Sequence, residues 1–124
     1  MNNRFKTTWG WSLHINLKEC SPDRIRNIED TKQFLLDLTK YIKMTPYGEP
    51  MVVHFGKDPS VTGISGYQLL EESNIGLHLV EQDNSAYIDI FSCCEYNSTD
   101  AYLYCYRYFE AQGGSFDFLD RGIN

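Results

Sequence analysis

The sequence predicts an α+β two-layer sandwich, a mostly antiparallel sheet with two helices on one face. Three observations carry this. Residues 8–17 alternate, with Trp9, Trp11, Leu13, Ile15 and Leu17 on one side and Gly10, Ser12, His14 and Asn16 on the other, the period of a half-buried strand. Ile25, Ile28, Leu35, Leu38 and Ile42 recur at helical spacing, and Phe34 and Tyr41 widen the stripe. Three strand-like stretches, 63–71, 74–81 and 85–92, follow one another with short links that favour antiparallel neighbours. Elements with one apolar face bury it against each other, which makes two layers. The second face of the sheet is left free for a partner subunit.

In chain order, the strand over 8–17 comes first. Ser21-Pro22-Asp23 reads as a helix start, with Ser21 as N-cap, proline at the first helical position and an acid in the first turn. The helix is predicted over 22–43. Residues 45–50 carry turn chemistry, 51–55 a short strand and 56–60 a loop. Within the three-strand run, Glu81-Gln82-Asp83-Asn84 is the expected hairpin connection. Asn97 or Ser98 caps a second helix with Leu103, Tyr106 and Phe109 as its buried stripe, beside Tyr102 and Cys105. Gly113-Gly114 is expected to end it, and 115–119 to form a last strand with a frayed end.

Length and composition bound the function. A chain of 124 residues, 42% hydrophobic and 23% charged, is expected to form a single domain, 1–124. The net charge of −6, with no Lys/Arg run, argues against a nucleic-acid partner. The start, MNNRFKTTWGWS, lacks the apolar stretch of a signal peptide. No segment nears the roughly 20 apolar residues of a membrane span. A cytoplasmic protein without a membrane partner is expected. Cys20, Cys93, Cys94 and Cys105 form no C-x-x-C pair, and His14, His54 and His78 are scattered, so no metal site is expected. Adjacent Cys93 and Cys94 would point to opposite faces of a strand.

The chemistry gathers at Glu72-Ser73-Asn74-Ile75-Gly76-Leu77-His78. No G-x-S-x-G elbow surrounds Ser73 and no separate acid is suggested, which disfavours a hydrolase. The segment resembles the E-S-H-x-x-x-H self-cleavage motif of the short prokaryotic S-adenosylmethionine decarboxylase proenzymes. Gly63-Ile64-Ser65-Gly66 resembles that family's G-V-S-G, and Ile88-Asp89-Ile90-Phe91-Ser92-Cys93 its V-D-V/I-x-T/S-C strand, each at the family's distance from the serine.

The resemblance implies that Ser73 attacks the carbonyl of Glu72, forming an ester. β-Elimination then leaves residue 73 as a pyruvoyl group, and the proenzyme becomes a β chain, 1–72, and an α chain, 73–124. It implies that His78 is the processing base, Ser65 a processing residue that hydrogen-bonds the rearranging intermediate, and Cys93 the proton donor. The pyruvoyl cofactor would form a Schiff base with the substrate's α-amine and act as electron sink. A homodimer with active sites involving both subunits, and a place in polyamine biosynthesis, are implied too.

The sequence departs from the motif on the substrate side. Asn74 stands where the family has histidine, and Leu79-Val80-Glu81-Gln82 where it has T-W-P-E. Gln82 takes the place of a glutamate that helps to hold the ribose, and Glu81, one residue early, falls on the opposite face. Phe55 is the nearest candidate for adenine stacking. Relatives of the family decarboxylate L-arginine or L-ornithine, so the expected cationic amino-acid substrate is S-adenosylmethionine or one of these. Glu49, Glu71 and Asp89 are candidate acids for its charged tail. Two other readings stay open: an unprocessed homolog that regulates an active partner, and a non-decarboxylating enzyme acting on S-adenosylmethionine.

Overall fold

The computed structural model describes residues 9–122. Six strands form one antiparallel sheet: β1 (Trp11–Lys18), β2 (Met51–Phe55), β3 (Gly63–Leu69), β4 (Ser73–Val80), β5 (Ser85–Ser92) and β6 (Gly113–Asp120), in the order β2-β3-β4-β5-β1-β6. Helices α1 (Pro22–Ile25), α2 (Ile28–Tyr41) and α3 (Ser98–Tyr108) complete the chain, with a 3-10 turn over Pro59–Val61. α2 packs on β2 and β3, and α3 on β1 and β6. This is the predicted two-layer α+β sandwich.

Alternation places the core. Leu13, Ile15 and Leu17 of β1, Ile75, Leu77 and Leu79 of β4, and Ile88 and Ile90 of β5 are buried against Phe34, Leu35 and Leu38 of α2 and Phe109 after α3. The opposite face carries Met51, Val53, Phe55, Tyr67, Leu69 and Tyr87, all exposed. Gly63 opens β3 because a Cβ there would collide with the Leu79 carbonyl oxygen, so this glycine lets the two strands close.

Several boundaries differ from expectation. The first helix is two: after Ile25 the chain turns, and Asn27 caps α2 by accepting from the Asp30 N–H at 2.9 Å. An apolar stripe continues through such a break, but Asn27 is extended (φ −110°, ψ 111°) and its side-chain carbonyl starts the next helix. Ser21 makes no side-chain cap bond. In α3 the cap is Asn97, and the buried seam is Ala101 and Cys105, continued by Phe109. Leu103 and Tyr106 are only half-buried, because Phe109 docked on Phe34 sets the phase of the helix. α3 ends at Tyr108, and Glu110 takes the left-handed conformation (φ 51°). Gly113-Gly114 begins β6 instead of ending the helix. A Cβ on Gly114 would meet Tyr102 Oη at 2.8 Å. Thr8 and the last two residues of the expected frayed end lie outside the described residues.

Candidate active site

Residues 70–72 link β3 to β4, with Leu70 N–H donating to the Ser73 carbonyl at 2.8 Å. The Glu72–Ser73 peptide bond therefore sits at a hairpin tip, and Ser73 is the first residue of β4, opposite Ser92 of β5. The chain bends after Ser92, where Cys94 N–H donates to Ser92 Oγ at 2.9 Å. That bend brings the Cys93 N–H to the Glu72 carbonyl oxygen at 3.1 Å. Cys93 and Cys94 lie beyond the strand, in this bend, so the strand alternation expected to oppose their thiols does not apply to them. The Cys94 thiol is held above its ordinary range, by desolvation first and then by the neighbouring Cys93.

Ser65 and His78 are cross-strand partners on β3 and β4, and Ser65 Oγ lies 3.0 Å from His78 Nδ1. Both lie on the open sheet face. With Met51, Val53, Phe55 and Tyr67 they line a shallow, largely apolar cavity of about 260 Å³. The aliphatic and aromatic members beside Phe55 were not singled out from the sequence. They share its face at two-residue steps along β2 and β3, and that parity is a signal that finds them.

The predicted residues fall into two groups. Glu72, Ser73 and Cys93 meet at the hairpin tip. Ser65, His78 and Phe55 meet on the sheet face. Five residues of extended strand separate Ser73 from His78, about 16 Å at ~3.3 Å per residue, farther than one imidazole reaches. Gln82 lies exposed in the β4–β5 turn, farther still along β4, and does not line the cavity.

The acids are accounted for one by one. Glu81 lies on the helix side, with its Oε2 2.7 Å from His54 Nε2 and its Oε1 3.9 Å from Arg26 Nε. Asp89 is on the open face, 3.0 Å from His14 Nδ1, and His14 Nε2 contacts Ser12 Oγ at 3.1 Å. Glu49 and Glu71 are exposed in loops. Among the described residues, no three His, Cys, Asp or Glu side chains cluster as a metal site requires. No helix there is long and apolar enough to cross a membrane.

The chain is thus a two-layer sandwich whose hairpin tip offers a serine behind a held carbonyl, with a Ser–His pair on the open sheet face. The comparisons agree on the family. The S-adenosylmethionine decarboxylase family model matches residues 11–122. An S-adenosylmethionine decarboxylase proenzyme of Thermodesulfovibrio yellowstonii is 30% identical over 115 residues, 92% of this chain and 82% of that protein. Another, of Thermococcus kodakarensis, is 27% identical over 117 residues, 94% of this chain and 78% of that protein. The crystal structure of the Aquifex aeolicus adenosylmethionine decarboxylase superposes with TM-score 0.80 at 22% identity, covering 95% of this chain and 94% of that one, which shows the shared fold. The chain belongs to the S-adenosylmethionine decarboxylase family.

Proposed function

We propose that the chain is a proenzyme that cuts itself between Glu72 and Ser73 and then decarboxylates a cationic α-amino acid. The observation that carries this is the Cys93 N–H on the Glu72 carbonyl oxygen, 3.1 Å away. When Ser73 Oγ attacks the Glu72 carbonyl carbon, negative charge develops on that oxygen, and a fixed donor there stabilises it. The C–N bond then breaks, the nitrogen takes a proton, and Glu72 becomes an ester of Ser73. Removal of the Cα proton of residue 73 expels the Glu72 carboxylate. The resulting dehydroalanine tautomerises to an imine, and water releases ammonia to leave the pyruvoyl group.

That proton removal suits an imidazole acting as general base, and His78 is the residue the family resemblance gives that task. The spacing along β4 puts this chain's own His78 out of reach of its Ser73. The exposed apolar side chains around Ser65 and His78 supply a surface for a second copy. In the homodimer expected from the resemblance, the Ser65–His78 pair of one copy serves the Ser73–Cys93 tip of the other. Once formed at residue 73, the pyruvoyl ketone supplies the electron sink for loss of CO₂. Cys93, beside that residue, is the proton donor.

S-adenosylmethionine is the first substrate to test, because the cavity walls of Met51, Phe55 and Tyr67 suit a nucleoside. L-arginine or L-ornithine is the second. Gln82 replaces the ribose-holding carboxylate, and Glu81 is engaged by His54 and Arg26 on the wrong face. Denaturing mass spectrometry should find fragments 1–72 and 73–124; an intact chain alone would sink the self-cleavage reading. Release of CO₂ from the three substrates, compared side by side, decides among them.

A further inference from the structure

The hairpin tip is gripped from outside the strand pair as well. After α2 the chain runs alongside β3. Tyr47 N–H donates to the Leu69 carbonyl at 2.8 Å, Glu71 N–H donates to the Thr45 carbonyl at 2.9 Å, and Pro46 bridges Leu70. From this strip Thr45 takes hold of the Glu72 side chain. Its N–H donates to Oε1 at 3.0 Å and its hydroxyl to Oε2 at 3.3 Å. The strip is itself anchored to the core. Gln68 is fully buried, and its amide nitrogen donates to the carbonyls of Tyr47 and Gly48 at 3.3 and 3.2 Å. Glu72 is thus held at both ends, its carboxylate by Thr45 and its carbonyl oxygen by Cys93 N–H.

Resting on the self-cleavage reading, we infer that the Thr45–Glu72 contact is a clamp that presents the scissile carbonyl, with Thr45 and the Glu72 side chain as positioning residues. A short hairpin link leaves rotation about the Glu72 backbone, and the acyl shift needs one orientation. The carbonyl carbon must face Ser73 Oγ while its oxygen stays on the Cys93 N–H. Tying the side chain to a rigid strip removes the other orientations before the reaction, and near-attack geometry of this kind governs rate. A carboxylate suits the task because it accepts at both oxygens from an N–H and a hydroxyl set side by side.

The chemistry of glutamine separates positioning from charge. In Glu72→Gln the amide oxygen still accepts from the Thr45 N–H. The amide NH₂ donates to the Thr45 hydroxyl, which accepts as well as it donates. The test is the cleavage rate of newly translated precursor, read by denaturing electrophoresis. Glu72→Gln should cleave within about threefold of the natural chain, Thr45→Val a few-fold slower, and Glu72→Ala on the order of 10- to 100-fold slower, the scale of a lost charge-assisted hydrogen bond. Hydroxylamine, which cuts esters, should not rescue Glu72→Ala, because the slowed step precedes the ester.

Cleavage of Glu72→Ala at the natural rate overturns the clamp, as does a Glu72→Gln chain as slow as Glu72→Ala. Rescue of Glu72→Ala by hydroxylamine also overturns it. If Glu72→Ala fails to fold, Thr45→Val decides alone, and its cleavage at the natural rate counts against the clamp. A natural chain that is never cleaved overturns the self-cleavage reading, and the clamp with it. A natural chain that is cleaved, with the variants unaffected, overturns the clamp only.

Discussion

The hairpin tip and the open sheet face hold the same kinds of residue in opposite circumstances. At the tip, Glu72, Ser73 and Cys93 are tied by backbone bonds within one copy of the chain. On the face, Ser65 and His78 bond to each other and line a cavity open to the outside. One region is built to hold a peptide bond still. The other is a hydrogen-bonded Ser–His pair set five strand residues away from Ser73 of its own chain. The difference teaches that residues close along the chain can be divided in space, and on the proposed function that division would make assembly part of the chemistry.

Experiments that break or sharpen this contrast run from large effects to small. Ser73→Ala removes the nucleophile, so we expect no fragments and no CO₂ release at all, by mass spectrometry and a carboxyl-label assay. His78→Ala should slow cleavage by roughly 10²- to 10⁴-fold, the range of a lost general base. Mixed expression of the two variants tests whether the regions act across copies. Only a heterodimer then joins an intact Ser73 to an intact His78, and cleavage of the His78→Ala chain should return. If neither chain is cut in the mixture, the regions act within one chain and the shared site is wrong.

Cys93→Ala keeps the backbone N–H on the Glu72 carbonyl and loses the thiol. It should still be cut, with turnover about 10²-fold lower; normal turnover would remove Cys93 as proton donor. The smallest effect concerns the cavity wall. Phe55→Ala should raise KM about two- to tenfold, the scale of one aromatic contact, and leave the cleavage rate unchanged. A changed cleavage rate with constant KM would place Phe55 in processing instead.

The fold was largely legible because alternation and helical spacing are local properties of a chain that buries one face. β2 and β5 have the predicted limits. The break at Asn27 was not legible, since the apolar stripe runs unbroken across it. Nor was the start of β6 at Gly113. That glycine pair reads as a helix stop until Tyr102 is seen packed over Gly114.

The sequence by itself determined the residues of the candidate site, through their fixed distances along the chain: Ser65, Ser73, His78 and Cys93. Distance along a chain is not distance in space, so tertiary structure alone decided their grouping. Antiparallel pairing set Ser65 against His78 and Ser73 against Ser92, and kept the two pairs five strand residues apart. It also turned Glu81 toward His54 and Arg26, and brought Thr45 to Glu72 across 27 residues. Those contacts join segments that share no local pattern, and they exist only once the sheet has closed.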